Sequence, residues 1–281
     1  ATLEALDLEL AVAEGTATLR PSVLRVNADH AVEANGRVHL AAPWDFAAEI
    51  EGRLPALAQL SPLVEAFGGP PLQGGAATLE VDLDGALQPW RSQGQVRVDL
   101  RDFATPAIPQ PVSLELAADF AGDDITLNTL QAAMAPWQLQ AAGTANRGQV
   151  ALETLTLLQG EKTLLTGHAT VPLDLTQPGA TRPMDVALKA DGLDVAEIAR
   201  AAGVEGLPGG QLTARVDLKG RLETATGVVN LDWKNLTVPQ APLELQPAEG
   251  QVKADLGTDR ASLVGSVKQP PLQTLTLRGT A

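Results

Sequence analysis

Runs of strictly alternating apolar and polar residues dominate this sequence and commit it to β structure. Leu79, Val81 and Leu83 alternate with Thr78, Glu80, Asp82 and Asp84, and Val96, Val98 and Leu100 alternate with Gln95, Arg97, Asp99 and Arg101. The same two-residue period recurs at Leu114–Leu116, Met184–Leu188, Leu212–Leu218, Val229–Trp233 and Leu275–Leu277. Successive side chains of a strand point to opposite faces, so each run has one apolar face and one wet face. Glycines interrupt the runs at short intervals, at Gly85, Gly94, Gly122, Gly148, Gly160, Gly192, Gly220, Gly227, Gly250 and Gly257. Read as turn residues, they predict an antiparallel meander.

Two helices break the pattern. The first is expected near Pro55–Phe67, with Ser61-Pro62 as an N-cap and N1 pair and Gly68-Gly69 as its stop. The second is expected from Val195 to Ala202, with Asp194 and Glu197 as a capping box and Gly203 as its end. Each helix is followed by a glycine pair that opens a strand, Gly74-Gly75 and Gly209-Gly210. These pairs anchor an internal repeat. Residues 74–85 match residues 209–220 at an offset of 209 − 74 = 135, and Gly143-Thr144-Ala145 matches Gly279-Thr280-Ala281 at 136. The expected organisation is therefore two repeats, 1–146 and 147–281. The Pro-rich stretch Thr105–Pro111, with a counterpart at Val238–Pro242, is read as a connection between strands.

Composition narrows the function. The aromatic fraction is 3%, with no tyrosine, so Leu, Val and Ala must supply the apolar surface and the packed layers should be thin. A net charge of −14 repels phosphate backbones and anionic lipid surfaces alike, which excludes nucleic acid as a partner. There is no cysteine, hence no disulfide and no thiolate metal site. No apolar run reaches the length of a membrane-spanning helix. Residue 1 opens directly into the alternating Leu6, Leu8, Leu10 and Val12, and the chain is read as a segment of a longer one.

No constellation of residues suits catalysis. His30, His39 and His168 lack metal-ligand spacing and are expected on exposed polar faces. The glycine pairs precede strands, not helices, so they are turns and not phosphate cradles. Gly122-Asp123-Asp124 lacks the further carboxylates of a calcium loop and reads as a hairpin turn. Asn235-Leu236-Thr237 matches a glycosylation sequon and is read as incidental. No catalytic residue, cofactor or metal is expected, and the chain is read as non-enzymatic.

The unit 187–198 followed by 209–220 runs from a strand through Gly192-Leu193-Asp194, a short helix and Gly209-Gly210 into a strand ending Asp217-Leu218-Lys219-Gly220. With Gly227-Val228-Val229-Asn230-Leu231 and Leu236-Thr237-Val238, it resembles the AsmA/TamB-like family of Gram-negative envelope proteins. Both repeats carry the pattern; the Ser61-Pro62 break and longer helix of the first depart from it. The resemblance implies an all-β, curled antiparallel sheet forming a groove in two repeats, each with a short helix. It implies a periplasmic location, anchored in the inner membrane by a segment outside this sequence. The implied function is an apolar groove for phospholipid transport between inner and outer membranes. Phospholipid acyl chains would be the partners, with outer-membrane assembly proteins as a second set. On that reading the groove lining is Leu79, Val81, Leu83, Val96, Val98, Leu100, Leu212, Val216, Leu218, Val229, Leu231 and Trp233. The rivals are a closed β-sandwich repeat acting as a structural or adhesive spacer, and an outer-membrane barrel, which the absence of tyrosine girdles disfavours.

Overall fold

The alternating runs become long antiparallel strands in the computed structural model, which describes residues 5–25, 29–173, 183–201, 204, 209–221, 224–237, 248–258, 260–269 and 272–280. The chain divides into two units, Ala1–Ala135 and Pro136–Ala281. The first contains β1 (Ala5–Asp7), β2 (Leu10–Ala13), β3 (Thr16–Arg25), β4 (Ala31–His39) and β5 (Asp45–Leu54). A 3₁₀ turn (Leu57–Leu60) and α1 (Ser61–Ala66) lead on to β6 (Gly74–Leu87), β7 (Trp90–Thr105), β8 (Ile108–Ala121) and β9 (Asp124–Met134). Each strand from β2 to β9 pairs antiparallel with the next, and β1 pairs with the far end of β3.

The second unit contains β10 (Trp137–Asn146), β11 (Gln149–Gln159), β12 (Lys162–Pro172), β13 (Met184–Leu193), α2 (Val195–Ala201) and β14 (Gly209–Gly220). It continues with β15 (Thr226–Thr237), β16 (Ala248–Leu256), β17 (Ala261–Gln269) and β18 (Leu272–Thr280), again a meander of antiparallel neighbours. The fold is all-β, with a curled antiparallel sheet and a short helix in each repeat. The order strand, helix, four strands recurs as β5–α1–β6 to β9 and as β13–α2–β14 to β17.

The glycine pairs show what the repeat conserves in the backbone. The β6–β7 register slips between Gly74 and Ala76, and the β14–β15 register slips between Gly209 and Gln211. The second glycine of each pair is the bulged residue, at φ +109° for Gly75 and +123° for Gly210. Across each bulge stands a non-glycine residue of positive φ, Asp102 at 48° and Asn235 at 53°. A bulge bends its strand and raises the local twist. Register shifts recur in most ladders of both units, and they are the local source of the curl.

Three expectations need correction. Gly85, Gly94, Gly192, Gly227 and Gly250 lie inside strands and not at turns. Strands of up to 16 residues absorb them, at Gly85, Gly94, Gly227 and Gly250 because the sheet brings a neighbouring backbone too close for a side chain, and at Gly192 because φ is +62°. A Cβ on Gly94 would stand 2.0 Å from the Asp82 carbonyl oxygen. Second, Leu60 and not Ser61 is the N-cap of α1, because the 3₁₀ turn runs straight into the helix. The Ser61 hydroxyl instead donates to Glu65 Oε1 at 2.6 Å and accepts from the Leu72 N–H at 2.8 Å, tying down the exit of the helix. Third, the Pro-rich stretch connects two strands as read, but through a tight hairpin and not an extended segment, since β7 ends at Thr105 and β8 begins at Ile108. Its counterpart at Val238–Pro242 and the helix stop at Gly203 lie outside the described residues. One half of the expected α2 capping box forms, the Glu197 N–H donating to Asp194 Oδ1 at 3.0 Å, while Glu197 Oε1 accepts from Gln159 Nε2 at 3.4 Å.

Candidate functional site

Cross-strand register decides which side chains share a face. Leu79 opposes Val98, Val81 opposes Val96, and Ala77 opposes Leu100. On the outer side of β6, Val81 opposes Ile50 and Leu83 opposes Ala48. On the outer side of β7, Val98 opposes Leu116 and Leu100 opposes Leu114, while Leu130 opposes Leu116 on β9. Directly opposed residues lie on one side of a sheet. Leu79, Val81, Leu83, Val96, Val98 and Leu100 therefore sit on one uncharged face that runs unbroken from β4 to β9.

The second unit repeats this arrangement. Leu212 opposes Trp233, Val216 opposes Val229, and Ala214 opposes Leu231. Leu218 opposes Val186 on β13, Leu231 opposes Val252 on β16, and Val252 opposes Gly265 on β17. Trp233 stands opposite Gly250, where a Cβ would come within 2.3 Å of its ring. The ring thus lies over bare backbone that the glycine leaves open.

All twelve of these side chains are half-buried, and none belongs to a dry core. The buried hydrophobic side chains among the described residues are Leu57, Leu60, Ala86, Trp137, Ala141, Leu164, Ala190 and Ala196. Most are small or sit in the helical connections and at strand ends. Facing sheets in a sandwich would bury the central Leu and Val of each strand.

The reverse faces carry the charges. Arg97 pairs with the opposed Glu80 at 3.7 Å, and Lys219 pairs with the opposed Asp185 at 3.4 Å. Asp99 bonds the Arg101 guanidinium at 2.5 Å and raises its pKa above the usual arginine range. A hollow of about 730 Å³ on this side of the first unit is lined by Thr18, Arg20, Arg37, Glu49 and Asp82 among others. Its polar groups bond each other, as where the Asn35 amide donates to Glu49 Oε2 at 2.9 Å and Gln95 donates to Asp82.

His30 departs from its expected exposed position: it is fully buried. Its Nε2 lies 2.8 Å from the Ala56 carbonyl oxygen and 3.1 Å from the Ala56 nitrogen, just ahead of the 3₁₀ turn. It pins the helical connection to the start of β4, a structural role that spacing in the sequence does not reveal. His39 is exposed, and His168 Nε2 lies 3.6 Å from Asp185 Oδ1 on the next strand. Among the described residues, no group of three or more His, Asp and Glu side chains is placed to hold a metal ion, and no helix is long and apolar enough to cross a membrane.

Fold and face together define a class: a repeated, curled antiparallel sheet, each unit of which has a continuous apolar face that its own side chains only half cover. No family model matches the chain, and no curated protein or solved structure matches it at a significant level.

Proposed function

We propose that the apolar faces hold phospholipid acyl chains, making this chain a non-enzymatic lipid conduit of the bacterial envelope. The observation that carries the reading is the pairing of continuity with incomplete burial: Leu79 to Leu100 and Leu212 to Trp233 form uncharged faces on which every one of these side chains keeps part of its surface open. An apolar surface of this extent calls for cover. Burial of acyl methylenes gains about 0.8 kcal/mol each, so a chain of about sixteen carbons gains on the order of 10 kcal/mol gross. The scarcity of aromatic rings leaves room above the sheet, and the resemblance of the Gly-Gly repeats to the AsmA/TamB-like pattern adds support from analogy. In that setting the chain works in the periplasm and passes phospholipid between the two membranes, with its acidic reverse face in water.

The test is uptake of a fluorescent phospholipid by the purified chain, with the lipid-to-protein ratio measured after separation from free lipid. Saturable uptake that unlabelled phospholipid displaces is the expected result. A folded chain that takes up none is a spacer, and the reading is then wrong.

A further inference from the structure

The apolar face of the first unit changes character where its hairpins end. Leu87 on β6 opposes Trp90 on β7, and the Trp90 ring stacks on Phe46 of β5 with centroids 5.9 Å apart. Phe46 opposes Gly85, so no side chain of β6 separates the two rings at that register. Half-buried along the middle of the strands, the face is open here, with Trp90 66% and Leu87 41% exposed, and the turn 40–44 beside it carries Leu40 at 42% and Trp44 at 38%. The two turns that carry these residues are bonded to each other. The Leu87 N–H donates to the Trp44 carbonyl at 3.2 Å, and the Gln88 N–H donates to the Pro43 carbonyl at 3.1 Å. Both end in Pro-Trp, Pro43-Trp44 and Pro89-Trp90, and residues 40–44 and 86–90 carry no charge in a chain of net charge −14.

We propose that this Pro-Trp lip docks the first unit on the interface of a zwitterionic phospholipid bilayer. Three observations select that occupant. Indole combines a large apolar body with an N–H donor and partitions to the headgroup level, where one end is dry and the other wet. An uncharged lip enters that layer without desolvating an ion. The acidic remainder of the chain is repelled by an anionic surface but not by a zwitterionic one. The lip is also continuous with the apolar face, so a lipid leaving the bilayer there meets the face directly. That last step rests on the lipid-conduit reading; the docking does not.

The experiment is flotation of the full chain with pure phosphatidylcholine vesicles at physiological salt, run beside lipid uptake from detergent. The wild type is expected to float, and Trp44→Ser/Trp90→Ser to lose at least about tenfold in bound fraction while keeping its uptake. Should that variant misfold, Trp137→Phe/Trp233→Phe leaves the two lip indoles as reporters, and brominated phosphatidylcholine is expected to quench them. A wild type that stays with the unbound fraction, a serine variant that floats equally well, unquenched lip indoles, or tighter binding to anionic vesicles would each overturn the proposal. Flotation without uptake keeps the lip and refutes the conduit; uptake without flotation does the reverse.

Discussion

Replacing Gly75 by alanine should cost the first unit far more than the same change one residue earlier. At φ +109° an L side chain is strained, by roughly 1–2 kcal/mol. The new Cβ would also stand 2.9 Å from both the Arg101 carbonyl oxygen and the Phe103 Cα, backbone atoms that cannot swing aside. Relief requires opening the β6–β7 bulge, so the total loss should be about 3 kcal/mol. Gly74 is different: a Cβ there meets nothing nearer than 3.7 Å, and alanine should be neutral within about 0.5 kcal/mol. For a unit of this size, 3 kcal/mol corresponds to a fall of roughly 10 °C in the melting temperature. Thermal and urea unfolding followed by circular dichroism would read both variants. Gly210→Ala should repeat the loss in the second unit, where its Cβ would lie 2.7 Å from the Asn235 carbonyl oxygen. Equal effects at Gly74 and Gly75 would refute the claim that the paired glycines exist to form a positive-φ bulge.

Three further outcomes are expected. Val81→Asp puts a carboxylate between Ile50 and Val96 and should deny an acyl chain about three methylene contacts. Titration with a fluorescent phospholipid should then show about 50-fold weaker binding, while Thr78→Asp on the reverse face leaves it unchanged. His30→Ala removes a fully buried ring and its bond to Ala56, and should lower unfolding free energy by about 2–4 kcal/mol in urea titrations. Arg97→Ala breaks an ion pair whose partners are both about 60% exposed and should shift stability by less than about 0.5 kcal/mol, measured the same way.

Much of the fold was legible because a two-residue period has one structural solution. The alternation around Leu79 and Val98 placed the strands, and register then put on one face the side chains that alternation had grouped. The Gly-Gly recurrence was legible as a repeat, but its reason was not, since a bulge depends on the neighbouring strand and on Asp102 or Asn235 across from it. Strand ends were misplaced at Gly85 and Gly94 because glycine serves both turns and close backbone approach, and only the paired strand distinguishes them. The burial of His30 was invisible for a similar cause: its partner, Ala56, is a backbone group 26 residues away. The aromatic lip escaped notice because Pro43-Trp44 and Pro89-Trp90 become neighbours only when two turns meet across three strands.

The central claim is that these half-covered faces carry lipid, and native mass spectrometry of the chain purified from a Gram-negative host tests it most directly. The account predicts phospholipid bound to the chain, lost when Val81, Val216 and Leu218 are changed to aspartate with the β-rich circular dichroism intact. A well-folded wild-type chain that carries no lipid and takes up none when phospholipid is added would contradict it.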